Sequence, residues 1–116
     1  MNLKSNLLAL SLVFTSSISL AGEYTKDIVI DRLHPISISR PANTSMQDLT
    51  RVYFTQSAGW ADIGCRNDAA DLLATDEHLM SILLVAWTTS KSIKVYVDNG
   101  LKPDGEVCQI TALMVN

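Results

Sequence analysis

The chain has 116 residues, nine Lys and Arg against twelve Asp and Glu, and a formal net charge of −3. That length suits one domain. Arg51, Arg66, Lys91 and Lys94 stand apart among acids, which excludes the positive footprint that non-specific nucleic-acid binding or attachment to an anionic membrane requires.

The amino-terminal stretch MNLKSNLLALSLVFTSSISLA reads as a targeting segment. Lys4 gives a positive start, Leu7 to Phe14 an apolar centre, and Ser19-Leu20-Ala21 the small-x-small pattern that signal peptidase accepts. The apolar run is shorter than the roughly twenty residues of a membrane span. Residues 1–21 are therefore expected to be a cleaved signal peptide, and residues 22–116 a single secreted or periplasmic domain without a membrane span. Lys4 leaves with the leader, so the domain keeps eight basic and twelve acidic side chains.

Residues 26–38, KDIVIDRLHPISI, alternate apolar and polar with Ile28 and Ile30 in one phase, and then Ile36 and Ile38. This is strand periodicity, in which Pro35 demands a bulge, an edge or a bend. Residues 39–46 have loop chemistry, and residues 50–56, TRVYFTQ, have the β-branched and aromatic content of a second strand. Beyond the Ser-Ala-Gly turn, Trp60, Ile63 and Cys65 suggest a short strand or extended segment, and Leu72 and Leu73 a brief strand or helical turn.

Thr75-Asp76-Glu77 looks like a helix start, with Thr75 as cap and two acids where the macrodipole favours them. Leu79, Ile82, Leu83 and Ala86 mark one face, and Met80, Leu84 and Trp87 widen it nearly all round. Such a helix is buried or membrane-spanning, and the unbroken run Ile82 to Trp87 is far too short to span. Residues 76–88 are expected to form a buried helix with Leu83 and Leu84 in the core, ended by Thr88-Thr89-Ser90. The period then changes to two. Ile93, Val95 and Val97 point one way and Lys94, Tyr96 and Asp98 the other. Asn99-Gly100 and Pro103-Asp104-Gly105 signal turns before a last strand, 107–115. The order β-β-(β)-α-β-β describes a mainly β, α+β domain with one buried helix in an antiparallel sheet, a pattern that small barrels also fit.

Cys65 and Cys108 are the two cysteines. In an oxidising compartment a disulfide is their simplest reading, with two buried thiols or half of a metal site as alternatives. A bond between them would close a loop of a little over forty residues and contribute about 4 kcal/mol in the chain-entropy model. Neither His34 nor His78 lies at ligand spacing from a cysteine.

A cysteine, an apolar helix running into AWTTSKSIKVYVDNGL, and a later strand with a second cysteine together resemble small exported bacterial proteins with the OB-like barrel of pentameric AB-type toxin B subunits, of the subtilase cytotoxin and typhoid toxin kind. The resemblance runs from about Cys65 to Leu101, roughly a third of the chain. Thr88-Thr89-Ser90 matches the Thr-Thr-Gly-type turn of those subunits, and Ile93 to Val97 their following strand. The family implies a small antiparallel OB-like barrel, a homo-pentamer and binding of sialylated glycans. Its glycan-binding tyrosine falls at Val97, one residue after Tyr96 and on the opposite face, and its first-strand serine falls near Lys26. The family's disulfide pairing differs from the one open to this chain. No binding residue therefore carries over directly.

No G-x-S-x-G elbow, H-E-x-x-H helix or Gly-rich phosphate loop is present, so neither catalysis nor a cofactor or metal is expected. Asp68 and Asp71, or Asp76 and Glu77, are carboxylate pairs that solvated loop and cap roles explain. The expected function is a non-enzymatic binding or assembly subunit for a glycan or a partner protein. Trp60 beside its turn, and Lys94 with Tyr96 on one strand face, are the candidate contacts, although Trp60 suits a core position equally. The alternative is a monomeric periplasmic inhibitor or immunity-like protein that presents an acidic loop, Asp98 to Glu106.

Overall fold

A computed structural model describes residues 22–116; the expected signal peptide lies outside the described residues. β1 (Glu23–Ile28) and β2 (Ile30–Ile36) are separated by Val29 alone, and β3 (Leu49–Phe54) follows. A 3₁₀ turn (Ala61–Ile63), β4 (Ala69–Leu73), α1 (Glu77–Thr89), β5 (Ile93–Asp98) and β6 (Gln109–Val115) complete the chain. The domain is thus α+β and mainly β.

The strands form one six-stranded sheet in the order β1-β5-β6-β4-β3-β2. The expected antiparallel sheet is in fact mixed, because β4 runs parallel to β6, with Asp71 opposite Gln109. The two end strands, β1 and β2, are neighbours in the chain, so the sheet must curl until its ends meet at Val29. No ladder joins β1 to β2, and the sheet is not closed by pairing.

The alternation read from the sequence sets the core. Ile28, Ile30, Val52, Phe54, Ile93, Val95, Val97 and Ile110 all face inward and are buried. Pro35 falls in an end strand, and the ladder to β3 carries a bulge between Ile30 and Arg32. The first strand region stops short of its expected end: Ile36 closes β2, and Ile38 is exposed on the following loop.

Helix α1 differs from expectation at its N-cap and in the residues it buries, not at its C-terminal end. Asp76, not Thr75, is the N-cap, and it makes no side-chain capping bond. Leu79, Leu83 and Ala86 are its buried positions, whereas Leu84 is 43% exposed and Val85 and Trp87 are also exposed. The helix is apolar all round but covered on one side only. Its end follows the hydroxyl run, since the Thr88 and Thr89 hydroxyls donate back to the carbonyls of Leu84 and Val85. Ser90 then takes a left-handed conformation and caps the last turn through its backbone N–H.

The disulfide is present. Cys65 and Cys108 are bonded across 43 residues with Cα atoms 5.4 Å apart, joining the segment before β4 to the start of β6. Among the described residues, no helix is long and apolar enough to cross a membrane.

Candidate functional site: a hollow between the first strand and the Trp60 turn

The extended segment expected around Trp60 is instead a tight turn. Gly59 and Gly64 both have left-handed φ values, 71° and 81°, which an L side chain resists. Between them the chain closes into the 3₁₀ turn, and Cys65 N–H returns to the Trp60 carbonyl. Asn67 holds the base of the turn: its side-chain oxygen accepts from Trp60 N–H at 2.6 Å, and its carbonyl from Ala58 N–H at 2.8 Å. At the far side, Asn99 donates to the Ile63 carbonyl and accepts from Gly22 N–H, which ties the turn to the start of β1.

Between β1 and this turn lies a hollow of about 540 Å³. Glu23, Tyr24 and Lys26 line one side and Ala58, Trp60 and Asp62 the other. Tyr24 and Lys26 share the inward phase of Ile28, opposite Val97 and Val95 of β5. Trp60 is only 4% exposed and packs edge-on against Phe54, with ring centroids 5.7 Å apart. Its ring is therefore part of the core, and it offers the hollow a wall rather than a free face. Lys26 above that wall brings a cation and Asp62 an acceptor, whereas the Glu23 carboxylate accepts from the Thr111 hydroxyl of β6 at 2.5 Å.

Lys94 and Tyr96 do not join Trp60. They sit on the outward phase of β5, half-buried, opposite Asp27 and Thr25 of β1 and Met114 and Ala112 of β6. Tyr24 and Asp62 had no signal of their own in the sequence; Tyr24 could have been found by extending the strand alternation two residues upstream of Lys26.

A second polar region escaped the sequence reading. Asp71 is fully buried, not solvated, and Arg51 grips it with two bonds of 2.8 and 2.9 Å. The second Arg51 nitrogen also donates to Asp104 at 2.9 Å, and Ser45 donates to the same carboxylate. The hydrogen bonds that Arg51 donates to Asp71 raise its guanidinium further above its ordinary value, while burial pushes the Asp71 carboxyl up against the pull of Arg51. On the same sheet side, Arg32 stacks 4.4 Å over the Tyr53 ring. Arg66 lies 5.6 Å from that ring and pairs with Asp68, whose carboxyl it holds below the usual range. These groups bond each other, as structural ion pairs do. Among the described residues, no three His, Cys, Asp or Glu side chains are placed to hold a metal ion.

Comparison with family models, curated proteins and solved structures returns no match. The reading of function therefore rests on the geometry and the sequence.

Proposed function

We infer that the protein is an exported, non-enzymatic binding subunit of OB-like design, which takes a glycan in the hollow between β1 and the Trp60 turn. The observation that carries this reading is the hollow itself, where half-buried Tyr24, backed by the core ring of Trp60, meets a rim of Lys26 and Asp62. Aromatic surface beside a few charged and hydrogen-bonding groups is what a sugar ring needs, one apolar face and many hydroxyls. The resemblance places the first-strand serine of toxin B subunits near Lys26, so the hollow lies in the matching region although the residue type differs. The OB-like reading is supported by β1 and β2, which together make one long bent strand that pairs with β5 at one end and β3 at the other.

Assembly with further copies is supported by the uncovered side of α1. Val85 and Val115 are exposed and line an apolar groove of about 280 Å³ between the helix and the adjoining ends of β5 and β6. The inhibitor-like alternative is less well supported, because Asp104 of its acidic loop is already engaged by Arg51 and Ser45.

The test is a sialylated glycan array followed by NMR titration of the protein with a retained glycan. Amide shifts at Tyr24, Lys26 and Gly59 to Asp62, weakened by Lys26→Ala, would support the reading. Retention of no glycan, or shifts confined to other surfaces, would reject it.

A further inference from the structure

β1 is an end strand with an unused hydrogen-bonding edge. The ladder to β5 fixes which groups lie there. Asn99 N–H donates to the Gly22 carbonyl at 3.1 Å, extending the register in which Glu23 faces Asp98. In an antiparallel ladder, bonded and non-bonded pairs alternate. Tyr24, Lys26 and Ile28 therefore exchange bonds with Val97, Val95 and Ile93. Glu23, Thr25 and Asp27 turn their backbone N–H and C=O groups to the other edge, where no strand pairs with β1 among the described residues.

A solvent-facing edge of this kind is a template for another chain. The residues along it are free of proline and bulges, and the hollow runs beside it. The charges along the edge are biased. Glu23 and Asp27, both exposed, stand on the outward phase, with Asp98 beside Glu23 across the ladder and Lys94 beside Asp27. Pairing of this edge with itself about Thr25 would set Glu23 of one copy against Asp27 of the other, a like-charge contact that disfavours a second copy.

We propose that the outer edge of β1 is a docking site for an extended cationic segment of a partner protein, added as an antiparallel strand. Backbone bonds to Glu23, Thr25 and Asp27 supply affinity, and alternate side chains supply selectivity. Basic residues four positions apart on the incoming strand lie opposite Glu23 and Asp27. The residues next to them stand opposite Tyr24 and Lys26 and face the hollow, where apolar side chains meet the Tyr24 ring and the Lys26 stem. The proposal goes beyond the glycan reading. A bound strand and a bound sugar compete for the hollow, yet each titration can fail while the other succeeds.

The experiment is NMR titration of the disulfide-bonded domain, residues 22–116, with the blocked peptide Lys-Val-Thr-Val-Lys and its charge-reversed partner Glu-Val-Thr-Val-Glu. The expected result is a set of shifts at Glu23, Thr25 and Asp27 and at Gly59 to Asp62 with the basic peptide, and binding at least about tenfold weaker with the acidic one. Thr25→Pro removes a donor that β5 does not use, so the variant should fold and lose binding. Should that variant fail to fold, Asp27→Lys removes the charge contact without touching the backbone and should weaken the basic peptide by about tenfold. Equal binding of the two peptides, shifts confined to α1 or β2, or full binding by a folded Thr25→Pro variant would overturn the proposal. So would a homodimer in solution that Thr25→Pro dissolves, because the edge would then belong to a second copy.

Discussion

β1 and β2 follow one another in the chain with one residue between them, and each ends the sheet, but they are finished differently. Beside β2 stands helix α1, which packs on it. The bulge frees Asp31 from the β3 register, and the Trp87 indole N–H donates to its carbonyl at 3.1 Å. The strands next to β2 are also locked by the buried Arg51–Asp71 pair and its extension to Asp104. β1 has no such cover on its outer side. It meets a hollow rimmed by charged groups, and the turn across that hollow is anchored to Asn67 and Asn99 and reaches the strand only at its start, where Gly22 N–H donates to Asn99. The β2 end of the sheet has thus been spent on stability. The β1 end retains backbone donors and acceptors, which is the property of a surface available for recognition.

The largest effect should come from removing the helix that covers β2. Leu83 is fully buried and Leu84 is not, although they are adjacent and chemically identical. Leu83→Asp places an unpaired carboxylate in the apolar interior and should abolish folding, as read by circular dichroism. Leu84→Asp should keep the fold and change stability by less than about 1 kcal/mol. Equal behaviour of the two would mean that α1 is rotated about its axis. Next in size is Asp71→Asn, which leaves a buried Arg51 with a single charged partner. Chemical denaturation should show a loss of about 2–4 kcal/mol, while peptide or glycan binding near β1 should remain unchanged. Trp87→Phe is smaller. It keeps an aromatic ring and deletes the bond to Asp31, so a loss of about 1 kcal/mol is expected, with faster amide exchange in β2 and none in β1.

Much of this contrast could not be read along the chain. Strands and helix were legible because their periods are local: Ile93, Val95 and Val97 state a strand, and the hydroxyl run after Trp87 states a helix end. The buried side of α1 was not legible, because with apolar residues on almost every face the sequence marks no direction, and Leu84 looks as much like core as Leu83. The Trp60 segment was misread since its three apolar residues suit an extended strand, whereas left-handed Gly59 and Gly64 close it into a turn. Arg51 and Asp71 lie twenty residues apart, and no spacing rule links positions that meet only through a β3–β4 ladder. Parallel pairing of β4 with β6 is likewise a fact of three dimensions. Of the site, only Trp60 is marked by the sequence; Lys94 and Tyr96 lie on the opposite face of the sheet, and Tyr24, Lys26 and the unpaired edge of β1 follow from the register, Asp62 from the closed turn.

The central claim is that the backbone of β1 is half used and half open, and hydrogen–deuterium exchange read residue by residue tests it most directly. In the free domain the amides of Tyr24, Lys26 and Ile28 should be protected by the β5 ladder, and those of Thr25 and Asp27 should exchange at least about a hundredfold faster, a gap of about 2.7 kcal/mol in local opening. Protection of Thr25 and Asp27 equal to that of their neighbours would contradict the account, because it would show that the edge is already occupied.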